Sequence, residues 1–309
     1  MEQAALLALG LAVDLTLLGL PLFAWWRRGR DRHFTDDDSV LMPSPPSDFT
    51  PALATVVMQG QPSRHTVSAA LMYLVSQNLI TLQTEPSHIG ERAGIRLTPH
   101  RPRRLHIPEP EEAFYTAIRN LAGRSGHIPS VALGSLNGAC YDLCRALDEI
   151  AWQRGWVRAR PDVVIHRWRI LASVEVIVGL FIAGWISRLL PLPIAIAVAI
   201  IGMGLVAAGA ITFLVSGAMP ARTREGAELA AMLNAYRRTL EATIAQAHSL
   251  EEVVVMAPLP WVGTPEEELA WAVAFDLDRQ IDGLLTGSLH WAGVGGWSKS
   301  IREWFADLY

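Results

Sequence analysis

The sequence predicts a mainly α membrane protein: three transmembrane helices with an α-rich cytoplasmic body that includes a winged-helix-like unit. Three observations carry this prediction. Apolar runs occupy Ala4–Trp26, Ile170–Ile186 and Leu192–Val215. Each is close to, or above, the ~20 residues a helix needs to cross a ~30 Å hydrocarbon core. Arginines flank each run at one end only: Arg27, Arg28, Arg30 and Arg32 after the first, Arg158, Arg160, Arg167 and Arg169 before the second, Arg222 and Arg224 after the third. Outside the runs, apolar residues recur mostly at helical spacing.

Positive charge beside a span tends to stay on the cytoplasmic side. All three clusters therefore agree on one topology in a bacterial inner membrane, with the N-terminus outside and the soluble bulk inside. Residues 1–26 read as an N-out anchor. Met1-Glu2-Gln3 has no basic residue and Trp25-Trp26-Arg27-Arg28 has no small-residue cleavage site, so a cleaved signal peptide is not expected. Trp25, Trp26 and Trp168 suit the headgroup boundary. Arg27, Arg28, Arg30, Arg167, Arg169, Arg222 and Arg224 are expected to meet anionic lipid there.

Residues 27–48 read as a linker. The acidic run Asp36–Asp38 and then Met42-Pro43-Ser44-Pro45-Pro46-Ser47 predict an extended spacer, since proline fixes φ and removes a donor. Residues 49–105 predict the winged-helix-like unit: a short helix at Pro51–Gln59, a better one at Thr66–Asn78, and a β-hairpin from Leu79–Gln83 and Gly94–Thr98. Residues 106–169 predict a helical unit, with helices at Glu111–Ala122 and Leu136–Arg154 punctuated by Gly123, Gly126, Pro129 and Gly155. A transmembrane hairpin follows at 170–216, its connection Ser187–Pro191 too short to hold a domain. Residues 217–290 predict a cytoplasmic helical region, with one helix from Glu225 to Ala247 and another to about Leu285. Thr264 as cap, Pro265 at the first position and Glu266–Glu268 in the first turn all favour a helix start there. Residues 291–309 add a glycine hinge, Gly293–Gly296, and an amphipathic segment.

The order of these residues resembles a known family. Trp26-Arg27-Arg28-Gly29-Arg30-Asp31 after a span, a Pro-rich linker, an Ala/Leu-rich helix entering a hairpin, and Met219-Pro220-Ala221-Arg222-Thr223-Arg224-Glu225-Gly226 after a transmembrane hairpin are similar to the C-terminal part of the YciQ-like predicted bacterial membrane proteins, domain-of-unknown-function family 2207. The resemblance covers nearly the whole chain and implies architecture rather than an activity. Members usually carry an extracytoplasmic β-rich domain before the first span, for which only Met1–Gln3 stand here, so a sensing role outside the cell is not expected. Where the family tends to have Leu-Pro-Tyr, this chain has Leu259-Pro260-Trp261.

Composition narrows the function classes. The net charge of -4 hides a division between basic membrane edges and acidic soluble patches. That is not the basic field of a nucleic-acid binder, and the helix that would enter a groove, Val67–Asn78, has no Lys or Arg. Lys299 is the only lysine among 26 basic residues. Cys140 and Cys144 share a helix face and read as buried small residues, since a zinc site needs two more ligands. Asp276, Asp278 and Asp282 with Arg279 read as a solvated face. No cofactor, metal or catalytic residue is expected.

The remaining candidates are surfaces. Asp14 and Glu175 are carboxylates within apolar runs, where a mid-bilayer charge costs ~2.5–3.5 kcal/mol. Asp14 is expected to meet another subunit and Glu175 to reach Arg169 or water. Gly179 with Ala183 and Gly204 with Ala208 place small residues four apart, as close helix contacts require. Trp297, Ile301, Trp304 and Phe305 form an aromatic helix face fit for a headgroup layer or a protein groove. The leading expectation is a non-catalytic accessory or scaffold subunit of a larger inner-membrane complex, with other integral membrane proteins as partners. The alternatives are a membrane-tethered regulator using the winged-helix-like unit, or a transporter-like protein using Asp14 and Glu175.

Overall fold

The computed structural model describes residues 2–29, 36–46, 49–87, 90–98, 107–246, 265–277 and 280. In chain order the elements are α1 (Glu2–Ala24), α2 (Pro51–Gln59), α3 (Arg64–Ser76), β1 (Ile80–Ser87), β2 (Gly90–Leu97), α4 (Glu109–Ala122), β3 (His127–Ile128), α5 (Asn137–Gln153), α6 (Pro161–Phe181), α7 (Leu192–Ser216), α8 (Arg224–Gln246) and α9 (Pro265–Ala274). They divide between two units: Met1–His33 with Val157–Thr223, and Phe34–Trp156 with Arg224–Tyr309. The expected regions 49–105, 106–169 and 217–290 fall across this division. Their described parts up to Trp156 and from Arg224 onward belong to one unit.

In the first unit α7 packs against both α1 and α6. A π turn, Trp25–Gly29, continues α1, and a π turn at Ile182–Ile186 with a 3-10 turn at Ser187–Leu189 continues α6. Two stretches, Pro161–Leu189 (29 residues) and Ile194–Ser216 (23 residues), are long and apolar enough to cross a membrane. Only 11% and 28% of their most apolar windows are covered by the chain itself. The core helix of a water-soluble fold would be mostly covered, so these helices leave their apolar surface to another medium. The α6–α7 seam is made of small residues: a Cβ on Gly179 would lie 2.6 Å from the Gly202 carbonyl oxygen. Only glycine allows that approach, which turns the seam into backbone-to-backbone contact.

The second unit is a helical body around a short sheet. Thr50 starts α2 by accepting the Leu53 N–H at 3.2 Å, Pro51 occupies a first-turn position, and Gly60 ends it at φ 73°. Ser63 starts α3 in a reciprocal box: its hydroxyl accepts the His65 N–H and its own N–H donates to Thr66 Oγ1 at 2.9 Å. Asn78 at φ 54° turns the chain into β1, which pairs antiparallel with β2 from Ile80↔Leu97 to Ser87↔Gly90. β3 adds to the far side of β2 through Ile95↔Ile128. Tyr236, Phe114, Phe275, Leu71, Met72 and Ile118 are among the largest fully buried side chains. α9 packs on α3 and α2, and its Trp271 and Phe275 stand 5.5 and 5.6 Å from the ring of Tyr236 on α8. It ends at Ala274, short of the expected Leu285, where Asp276 takes φ 60°.

The stretch expected as a linker is held to the second unit where it is described, from 36 to 46. Arg238 on α8 holds both carboxylate oxygens of Asp36 at 3.0 and 3.1 Å and donates to the carbonyls of Asp37 and Val40. The Met42 N–H donates to the Ala235 carbonyl at 3.4 Å. An acidic run and a single arginine far along the chain thereby fasten the strap to α8.

Candidate functional site

In the first unit both carboxylates of the apolar runs, Asp14 and Glu175, face α7. The Asp14 carboxylate lies against Gly204, where a Cβ would overlap it. Its Oδ1 is buried with no hydrogen-bond partner among the described residues. Glu175 accepts a 2.8 Å hydrogen bond from the Thr212 hydroxyl, which is also directed at the Ala208 carbonyl at 2.9 Å. Within the chain, then, Asp14 has α7 as its neighbour with no polar partner for Oδ1 among the described residues, whereas Glu175, expected to reach Arg169 or water, has the Thr212 hydroxyl of α7. Gly204 and Thr212 are eight residues apart, about 12 Å along a helix. The two carboxylates therefore do not form an acid pair that shares a proton directly.

The small-residue pairs, read as suited to close helix contact, have such contacts within this chain. Gly179 meets Gly202 and Val206, and Ala183 meets Gly202. Gly204 meets Asp14, and Ala208 is 2% exposed. A small residue invites whichever backbone is nearest, and the short connection between α6 and α7 makes that the hairpin partner.

At one end of this unit the backbone brings the three arginine clusters' neighbourhoods together. Arg27, Arg158, Arg167 and Trp168 line one cleft with Leu171 and Met219–Ala221. Arg169 is directed elsewhere, 5.4 Å from the Phe213 ring centroid. Trp25 is half-buried and Trp26 exposed. Arg222 bridges by its backbone to Val157, and Arg224, in the second unit, pairs with Glu228 at 3.0 Å. The side chain of Arg28, and the whole of Arg30, Trp297, Ile301, Trp304 and Phe305, lie outside the described residues.

The second unit holds titratable groups that sequence reasoning passed over. Glu111 on α4 is fully buried, and one of its oxygens accepts from the Thr50 hydroxyl at 2.5 Å. Burial pushes its carboxyl above the usual range. Glu268 on α9 is 3% exposed, and burial, with Glu267 beside it, pushes it up to about 7. Each retains one oxygen without a hydrogen-bond partner among the described residues. Burial and the nearby Glu111 and Glu267 push the Tyr73 hydroxyl up to about 12. A signal was available: Glu111 lies four and seven residues before Tyr115 and Ile118, and Glu268 likewise before Ala272 and Phe275. Both therefore sit on the buried stripe of their helices. Cys140 and Cys144 are both buried on α5, and burial with the neighbouring thiol pushes Cys140 up to about 12, a poor nucleophile. Among the described residues no three His, Cys, Asp or Glu gather as a metal site.

Comparison with curated proteins and with solved structures returns no match. A family match does exist, and it spans most of the chain: residues 42–282 correspond to the C-terminal domain of a predicted membrane protein family of unknown function. Two helices fit to cross a membrane, joined to a mainly helical body, agree with that description, and the chain belongs to the DUF2207 family of predicted membrane proteins.

Proposed function

We propose that this protein is a non-catalytic accessory or scaffold subunit of a larger inner-membrane complex, anchored by three spans and presenting its helical body to partners on the cytoplasmic side. α1 is the third span in this reading. It is a 23-residue helix, and it packs on α7. The meeting of Arg27 with Arg158 and Arg167 at one end of the unit supports a single basic face, hence an N-terminus outside.

The observation that carries the scaffold reading is the cover over α3. The order α2, α3, β1, β2, with β3 paired to β2, has winged-helix character, and in such a unit α3 would be the groove-reading helix. Here Val67, Ala69, Ala70, Leu71, Met72 and Leu74 are at most 1% exposed, and α9 packs on this helix. A helix buried in that manner holds a body together and has little left with which to read DNA. The outer face of α5 offers the opposite: Tyr141 and Trp152 are 63% and 43% exposed, with exposed Arg145 on the same stripe. Tyr, Trp and Arg are the residue types that most often anchor protein interfaces.

Gentle detergent extraction of the tagged protein, native sizing and mass spectrometry of the eluate test the proposal. A defined set of co-purifying membrane subunits, lost on Tyr141→Ala with Trp152→Ala, is the expected result. A monomer or homo-oligomer free of other subunits would overturn it.

A further inference from the structure

We propose that the cleft lined by Arg27, Arg158, Arg167 and Trp168 binds an anionic phospholipid, with the guanidinium groups on its phosphate and its acyl chains against Val164 and Leu171. The inference rests on the reading that α6 and α7 cross a membrane, and it adds to that reading a specific site.

The cleft is built by the backbone. Gly29, at the end of the turn after α1, approaches the exit of α7 so closely that a Cβ there would lie 2.8 Å from the Ala218 carbonyl oxygen and 3.2 Å from Met219 Cα. The Arg158 N–H, just before α6, donates to the Ala221 carbonyl at 3.0 Å, and Val157 pairs with Arg222 beside it. The ends of α1, α6 and α7 are thus tied at one place, and the open cleft between them has a volume of about 590 Å³. That volume falls within the ~300–1,000 Å³ of ordinary small-ligand sites.

Two of the arginines at the cleft, Arg158 and Arg167, carry charge with no ion pair among the described residues. Among the described residues the lining of the cleft includes three arginines and no carboxylate. Arg160, next in sequence, is placed beside Asp162 at 3.7 Å, and Arg169 is taken up by the Phe213 ring. Arg158 and Arg167 have no carboxylate partner among the described residues. Repulsion among cations on such a rim is relieved by an anion, and a guanidinium is suited to phosphate through paired N–H donors.

The other half of the cleft is apolar. Val164, Trp168, Leu171 and Met219 face the same space. Leu171 belongs to the exposed apolar side of α6, which continues through Val174, Ile177 and Val178. A free phosphate would use only the arginines, whereas a phospholipid uses both halves: charge at the rim, chains along α6. Trp168 lies at the junction, where an amphipathic ring suits the headgroup level.

The test uses the full-length protein, in mild detergent and in vesicles. Native mass spectrometry would measure lipid retained after exposure to phosphatidylglycerol or to phosphatidylcholine. Phosphatidylglycerol should be retained preferentially, and Arg158→Gln with Arg167→Gln should reduce its retention roughly thirty-fold, the effect of two arginines near an anionic surface. Arg158→Lys with Arg167→Lys should keep a large part of it, and Arg169→Gln should change nothing. Equal retention of both lipids, or no loss in the double Gln variant, would overturn the site. So would displacement of the lipid by inorganic phosphate, which would assign the cleft to a soluble anion. Carbonate extraction of the vesicles separates the two readings. A protein that resists extraction but shows no lipid preference loses only the site, while a protein stripped from the vesicles loses the membrane reading and the proposal with it.

Discussion

In the unit formed by α1, α6 and α7 the smallest residues lie inside and the largest outside; in the unit formed around α3 and α9 the order reverses. Gly179, Gly202 and Ala208 fill the seam of the first, while Leu15, Ile177, Phe181 and Leu214 are 72%, 65%, 55% and 79% exposed. In the second, Tyr236, Phe114, Phe275 and Leu71 are buried almost completely. Water drives large apolar side chains inward. A hydrocarbon medium removes that drive and leaves close backbone packing to hold helices together. The difference between the units is what two different solvents would select.

The strongest way to break this comparison is to hollow out the second unit. Phe275 packs against Tyr236 and Trp271 with ring centroids 5.6 Å away in both cases. Phe275→Ala should cost about 3–5 kcal/mol, the usual loss for a buried aromatic. Thermal unfolding in detergent should show the body melting early while the helical signal of the spans persists. Loss of less than ~1 kcal/mol would mean that α9 is not part of the core.

The buried glutamates sharpen the contrast with a dependence on pH. Glu268 has an ordinary value of 4.5 and is pushed up to about 7 when folded. Its folded form binds the proton more tightly than its unfolded form, so stability is full below pH 4.5 and falls as pH rises to about 7. The accumulated loss is about 3 kcal/mol at 1.36 kcal/mol per unit. Glu268→Gln should recover about that amount at pH 8 and almost none at pH 4. An unchanged slope would shift the effect to Glu111, which burial moves in the same direction.

How much of this was legible in the sequence depends on how local the cause is. Helix starts came within a few residues at α2, α3, α4, α5 and α8, because caps, prolines and apolar periodicity are written locally. The arginine flanks of the apolar runs were legible for the same reason. The docking of α9 on α3, some two hundred residues apart, was not, since periodicity says that a face is buried and never against what. The same limit hid the roles of Gly204 and Thr212: the sequence marks a small residue and a hydroxyl in a span, and only the fold shows them facing Asp14 and Glu175. Glu268 was obscured by ambiguity, because a first-turn glutamate satisfies the helix dipole whether or not it also points inward.

The seam of the first unit gives the next test. Gly179→Leu forces a side chain into a space where even its first carbon would lie 2.6 Å from a backbone oxygen. It should cost about 1–3 kcal/mol or more by overpacking, read as early loss of the hairpin in detergent melting. Leu214→Ala, on the exposed side, should cost little in the same measurement. Equal effects of the two would show that the seam is not the organising contact.

The strap from Asp36 to Pro46 offers the mildest perturbation, because its main anchor is half in solvent. The side chains of Arg238 and Asp36 are 20% and 31% exposed. Exposed ion pairs contribute ~0.2–1 kcal/mol, and the bidentate geometry places this one toward the upper end. Arg238→Ala also removes donors to the Asp37 and Val40 carbonyls, so the expected loss is about 1 kcal/mol. The sharper readout is local: the 36–46 segment should become much more susceptible to limited proteolysis, with α8 and the aromatic cluster still protected. Asp36→Asn should show a weaker form of the same effect, since the carbonyl contacts survive. If cleavage within 36–46 were unchanged in Arg238→Ala, the Met42 N–H to Ala235 bond and apolar contacts would be the true fastening, and the acidic run would revert to a solvated spacer.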